Sequence, residues 1–226
     1  MAIILGLDVS TSCTGYCIVD SDVQPDDKGS HILDLDRIEF GKGAGVPACA
    51  TLWEKADRIK RALAQIELGM AVRYGPHGLP PVDGYRHGQD QIDRVVLEEP
   101  LMGFRPGMSS AQTISTLMRF NGIVSFLARE TFHVEPEYIG SAHARKLCGI
   151  KLQRTALGGP QKEQVFAHMA ANDLKHVVWP LKKSGKVVDW SRDACDAYVI
   201  ARAAAVNGPV QPPAKKPRKN KKASEE

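Results

Sequence analysis

Four carboxylates stand where carboxylates are costly. Asp8 lies in the apolar run AIILGLDV, and Glu98 ends the run Val95-Val96-Leu97. Asp193 and Asp196 are three residues apart, so they share one helix face, and the same stripe continues through Ala197, Ile200, Ala201 and Ala204. Each acid alone has an ordinary reading as a turn former or part of a solvated helix face; converging in one pocket they do not. Two unit charges about 4 Å apart repel by about 4 kcal/mol at an effective dielectric near 20, so such a cluster opposes folding unless a counter-charge joins it. With oxygen donors and neither paired His nor thiolate spacing, the expected counter-charge is Mg²⁺ or Mn²⁺ rather than zinc. Two such ions about 3.5–4 Å apart clamp the attacking and leaving oxygens of a phosphodiester. Glu99 precedes Pro100 and points to the other side of its strand from Glu98, and Asp189 is a spare candidate just before the helix.

The elements that must position these acids follow from periodicity. Residues 2–9 and 14–20 read as a β-hairpin around Ser10-Thr11-Ser12, and residues 32–40 as a third strand. Leu52, Ala56, Ile59, Leu63, Ile66 and Met70 form the buried stripe of an amphipathic helix. Residues 74–91 hold four glycines and three prolines without periodicity, a long inserted loop. Residues 94–100 read as a buried central strand with a polar C-terminal edge. A long helix is expected from a Ser109 or Ser110 cap to Glu130, a fifth strand over 134–139, and a short helix capped by Ser141 and closed by Gly149. Pro160 starts a further helix with Val165, Phe166 and Met169 inward, and the last spans 192–205. The order β-β-β-α-β-α-β-α-α-α predicts an α/β fold: a mixed five-stranded sheet, three antiparallel strands and then parallel ones, with helices on both faces.

Charge narrows the partners. The chain has 30 Lys and Arg against 26 Asp and Glu, and the segment from Gln211 carries six bases and two acids, which accounts for the whole net charge of +4. Polyanion binding by bulk charge is thereby excluded and any basic face must be local. Arg145, Lys146, Lys151, Arg154 and Lys162 form such a cluster, and Lys175, Lys182, Lys183 and Lys186 precede the last helix. The basic tail, 209–226, reads as a disordered arm adding non-specific DNA affinity, with a nuclear localisation signal as the other reading. Trp53, Trp179 and Trp190 are expected as core or rim anchors, Trp190 within reach of DNA, and the histidines, which lack metal spacing, at the surface. Five cysteines without CxxC pairing favour a reducing, cytoplasmic setting, and with no apolar run near 18 residues neither signal peptide nor membrane span is expected.

The pattern Ile4-Leu5-Gly6-Leu7-Asp8-Val9-Ser10 with Gly15, then Val95-Val96-Leu97-Glu98, then Asp193-Ala194-Cys195-Asp196-Ala197, resembles the RuvC-type Holliday junction resolvases of the RNase H-like superfamily. The chain order of the acids matches, and Ser141-Ala142-His143-Ala144-Arg145-Lys146 with Lys162-Glu163-Gln164-Val165 looks like the family's DNA-contacting segment. The resemblance implies an RNase H-like nuclease domain over 1–208 that cleaves four-way junctions as a symmetric homodimer and leaves 5′ phosphates. It also implies that Asp8, Glu98, Asp193 and Asp196 hold two Mg²⁺ ions, Mn²⁺ substituting, with Asp8 bridging them and Lys162 near the scissile phosphate. The long helix from Ser109 would sit at the dimer interface; as a sequence pattern it reads equally as a core helix. Family members carry an aromatic a few residues after the catalytic Glu that helps open the junction. Here Phe104 comes late and Met102 early. The insertion and the basic tail are extra to a cellular resolvase and imply a divergent, phage-encoded member.

Other functions share parts of the pattern. Leu7-Asp8-Val9-Ser10-Thr11 with Gly15 also resembles the phosphate-binding hairpin of actin-like ATPase folds, but a second D-x-G loop and a Gly-Gly adenosine motif in a strand-turn-helix context are missing. A non-catalytic binder of branched DNA would have no use for all four acids. A nuclease of the same fold acting on flaps or RNA:DNA hybrids stays open, since fold does not fix substrate.

Overall fold

The computed structural model describes residues 2–26, 28–41, 48–74, 91–100 and 110–208. The strands are β1 (Ile3–Asp8), β2 (Cys13–Asp20), β3 (Ile32–Glu39), β4 (Arg94–Glu98) and β5 (Glu137–Ile139). The helices are α1 (Leu52–Tyr74), α2 (Ala111–Phe132), α3 (Ser141–Leu147), α4 (Thr155–Gly158), α5 (Gln161–Ala171) and α6 (Trp190–Asn207). The strands form one sheet in the order β3-β2-β1-β4-β5, antiparallel from β3 to β1 and parallel from β1 through β4 to β5.

Every residue of β1 is buried, because helices cover both sides of this central strand. Its odd-numbered Ile3, Leu5 and Leu7 join Val95 and Leu97 of β4 in a core closed by Ile59 and Leu63 of α1 and Phe120 and Val124 of α2. Its even-numbered Ile4 joins Cys17, Val96 and Ile139 in a second core closed by Val165 and Met169 of α5 and the apolar stripe of α6. The period-2 alternation of a strand thus sends its side chains into two cores.

Local signals set the helix starts. Thr51 and Glu54 form a reciprocal capping box before α1, the Glu54 N–H donating to Thr51 Oγ1 at 3.2 Å and the Thr51 N–H to Glu54 Oε2 at 3.1 Å. Ser110 caps α2, accepting from the Thr113 N–H at 3.1 Å. Arg94 makes a two-pronged bond to Glu137 at 2.7 and 2.8 Å, tying β4 to β5, and donates to the Ala204 and Gly208 carbonyls at the end of α6.

Several expectations shift. The fifth strand is only Glu137–Ile139, starting just after Pro136, whose ring nitrogen has no proton to donate. Gly140 rather than Ser141 occupies the N-cap of α3; the Ser141 hydroxyl instead accepts from Arg145 Nη2 at 3.2 Å. α4 was not anticipated. α1 runs on to Tyr74, and α6 begins at Trp190. His31 is buried, sharing a 2.9 Å hydrogen bond with the Tyr198 hydroxyl, against the expectation of surface histidines. Trp53 is 72% exposed, so it anchors no core. The inserted loop over 75–90, Phe104 with its neighbours, and the tail from 209 lie outside the described residues.

Candidate active site

Strand register brings the first two acids together. β1 and β4 run parallel with Leu7 opposite Leu97, so Asp8 and Glu98 end neighbouring strands, one residue further on, on the side that faces α6. Asp8 is 6% exposed and Glu98 half-buried, whereas Glu99 is exposed and spends its N–H on the Ile139 carbonyl. The choice of Glu98 over Glu99 follows from strand alternation.

The helical pair arrives because two glycines let α6 lie directly on the sheet. A Cβ at Gly6 would stand 2.5 Å from the Ala197 carbonyl oxygen, and one at Gly15 would stand 2.1 Å from that of Asp193. Gly15 also pairs with Asp8 across the hairpin, which sets the first turns of α6 beside the end of β1. Asp193 and Asp196 therefore reach the same end of the sheet as Asp8 and Glu98.

Lys162 stands among these carboxylates. Its Nζ lies 2.8 Å from Asp193 Oδ1, 3.4 Å from Asp196 Oδ2 and 3.8 Å from Asp8 Oδ2. The neighbouring residues lock the two helices: Arg192 grips Glu163 with two bonds, at 2.5 and 3.0 Å, so α5 and α6 are joined next to the Lys162–Asp193 pair. In the sequence the 29-residue spacing of Glu163 to Arg192 carries no local signal.

The electrostatics show a site short of positive charge. Burial, and then the neighbouring Asp196, Glu98 and Asp193, push Asp8 well above the usual carboxylate range against the opposing pull of Lys162. Asp196 is pushed up to about 6, chiefly by burial, with Glu98 and Asp193 adding to it and Lys162 opposing. Burial lowers Lys162, but Asp8, Asp196 and Asp193 more than offset this, so it is raised and remains an ammonium. The Cys13 thiol, pushed up to about 12 by burial and then by the negative charges of Asp193 and Glu39, stays protonated.

The donor set tests the expected metal. Among the described residues no group of three His, Cys, Asp or Glu side chains stands close enough together to hold a metal ion, with the Lys162 ammonium lying among the acids instead. The donors are all carboxylate oxygens, the type that hard divalent cations take, and in this arrangement the Lys162 ammonium supplies the positive charge where Asp8, Asp193 and Asp196 meet. Asp189 does not join them: it is 82% exposed and paired to Lys182 at 2.7 Å.

A basic groove leads away from the acids. A cavity of about 200 Å³ touches Glu98, Asp196, Lys162, Arg145 and Gln161. Arg145 and Gln161 also line a neighbouring cavity of about 360 Å³ that ends on Lys146 and Lys151. Arg145 thus lines both the cavity at the carboxylates and its neighbour, and Lys146 and Lys151 line the second. Arg154 is exposed on the turn beyond. Trp190 is not open for base stacking on both faces, since the Arg37 guanidinium covers its ring at 3.9 Å.

Comparison of the sequence with protein-family models and with curated proteins gives no match. Comparison with solved structures defines an RNase H-like fold. The Thermus thermophilus RuvC structure in complex with a Holliday junction substrate superimposes with a TM-score of 0.53 and 14% identity, over 91% of this chain and 94% of that one. A second Thermus thermophilus RuvC structure gives a TM-score of 0.44 and 17% identity, over 90% and 93% of the two chains. The yeast mitochondrial Holliday junction resolvase Ydc2 gives 0.45 and 11%, over 91% and 78%. The first of these carries the fold: the chain has the architecture of RuvC, as its strand order and its acids had led us to expect.

Proposed function

We propose that the chain is a metal-dependent endonuclease that cleaves four-way DNA junctions, acting as a homodimer on two-fold symmetric DNA and leaving 5′ phosphates. The observation that carries this is the convergence of Asp8, Glu98, Asp193 and Asp196 at one end of the sheet, the three aspartates around Lys162, beside a cavity that Glu98, Lys162 and Arg145 line. In this reading the four acids would hold two Mg²⁺ ions, Mn²⁺ substituting, and the metals would supply activation of the attacking water and charge stabilisation at the departing 3′ oxygen. Lys162, whose side chain is 56% exposed, is free to turn from the acids toward a phosphate once they are neutralised otherwise. Arg145, held by the Ser141 carbonyl at 2.9 Å, and Gln161 orient the strand where the two cavities meet. The RuvC structure of the same fold was solved on a Holliday junction, which supports branched DNA as the substrate.

The dimer has a candidate surface. Trp53 of α1 and Phe126 of α2 are 72% and 58% exposed beside a cavity of about 640 Å³ that Ile123 and Leu127 also line. An apolar face of this kind on the expected helix suits a second copy. Among the described residues no helix is long and apolar enough to cross a membrane.

The test is cleavage of a labelled four-way junction in Mg²⁺ beside linear duplex, flap and RNA:DNA hybrid. Paired symmetric nicks on the junction are expected; cleavage of flap or hybrid alone would keep the metal site and reassign the substrate. Lys146→Ala and Lys151→Ala are each expected to weaken junction binding and to lower the log-log salt slope by about one. An unchanged slope in titrations from 50 to 200 mM salt would remove that residue from the phosphate path.

A further inference from the structure

Between α3 and α5 the chain builds a loop more ordered than a connector requires. The Leu157 and Gly158 N–H groups donate to the Arg154 carbonyl at 2.8 and 2.9 Å, and the Gly159 N–H to that of Thr155 at 2.9 Å. One side chain of α5 braces it. Gln164 accepts from the Gln153 N–H at 2.7 Å and donates to the Gln153 and Gly159 carbonyls at 3.2 and 2.8 Å. Glycine is favoured at Gly159, which has φ +73°, and a Cβ at Gly158 would displace the Gln164 amide, 2.7 Å away.

What this loop displays is Leu157, 81% exposed and a member of neither apolar core. A lone exposed leucine is commonplace. A leucine held out by a braced turn that follows Lys151 and Arg154 in the chain and leads into Lys162 is a different arrangement, since such cations attract phosphates to this segment. Leu157 and Lys162 are five positions apart, so their Cα atoms are at most about 18 Å apart, some five base steps along a strand at about 3.4 Å each.

We propose that Leu157 is a wedge that enters the base stack of bound branched DNA beside the cleaved strand, and that Gln164 is the positioning residue that fixes it. The proposal rests on the nuclease reading above. Leucine among other apolar side chains can separate base steps when phosphate contacts hold the duplex against it, and unstacking costs least where pairing is already interrupted.

The test uses the full chain and a four-way junction with 2-aminopurine at the branch point, with Ca²⁺ replacing Mg²⁺ so that the complex persists. Wild type is expected to raise the fluorescence severalfold at saturation as the base leaves its stack. Leu157→Ser should lose most of that rise while Kd changes by less than about threefold, under 1 kcal/mol. Leu157→Phe should keep the rise, and Gln164→Ala should reduce it with Leu157 still present. An undiminished rise in Leu157→Ser, or no rise in wild type bound to the junction, overturns the wedge. If wild type cleaves the junction while Leu157→Ser matches it in rate and fluorescence, the wedge falls and the nuclease reading stands. If wild type binds no junction, both fall.

Discussion

Asp196→Asn is expected to act in opposite directions on catalysis and on stability. Cleavage should fall by roughly a thousandfold or more, about 4 kcal/mol of transition-state stabilisation, because the carboxylate set that would hold the metals loses a charged member. Junction binding should persist, since the phosphate contacts lie on other residues; the same holds for Asp8→Asn and Glu98→Gln. The metal-free variant should meanwhile melt higher than wild type at pH 8. A carboxyl raised from 3.8 to about 6 in the folded state binds a proton there that the unfolded chain has already released. Its cost is absent below about pH 4, grows between about 4 and 6, and is fully present above that. Replacing it should therefore stabilise by about 1–3 kcal/mol at pH 8, a rise of roughly 2–10 °C, and by little at pH 4. Mg²⁺ should raise the melting temperature of wild type more than that of the variant. Thermal melts at both pH values with and without Mg²⁺ decide this. A lower melting temperature for metal-free Asp196→Asn at pH 8 would mean that its contact with Lys162 outweighs the repulsion, and retained cleavage would take Asp196 out of the catalytic set.

Both the acids and the strands beneath them were legible because they obey local rules. Period-2 alternation separates Glu98 from Glu99, and the three-residue step of Asp193 and Asp196 puts both on the face that meets β1. The five strands follow from the same patterns, and their directions from the order of hairpins and helical crossovers. Pro136 marked the weak strand, and the structure starts β5 just beyond it. What was not legible depends on residues far apart in sequence. Arg192 and Glu163 join two helices across 29 positions, and Gln164 braces a loop at Gln153, 11 residues away. His31 is buried because Tyr198, 167 residues on, meets its ring. Short-range periodicity contains no information about such pairs. α4 was missed for a different reason: a four-residue turn is below the length at which any period can be read.

Gly15→Ala carries the second large expected effect, and it tests the link between fold and site. In sequence Gly6 and Gly15 appear only as members of a motif; in the structure each is a place where α6 touches the sheet backbone. The added Cβ at Gly15 would meet the Asp193 carbonyl oxygen at 2.1 Å and its carbon at 2.3 Å, so backbone must move. Overpacking of this kind costs about 1–3 kcal/mol and more where backbone is the obstacle, which here lowers the melting temperature by roughly 2–12 °C or more. The movement lifts the first turn of α6, which carries Asp193 and, one turn on, Asp196. Cleavage should therefore drop far more than stability, with Asp8, Glu98 and Lys162 all still present. Gly69→Ala in α1 is the matched control, since a Cβ there meets nothing within 4 Å. It should leave cleavage unchanged and stabilise the helix by up to about 1 kcal/mol. Equal melting temperatures and equal cleavage for Gly15→Ala and wild type would show that α6 does not rest on β2 at this point. Loss of cleavage at temperatures where Gly15→Ala is still folded would show that the close seating of one helix on the sheet sets the distance between two pairs of acids.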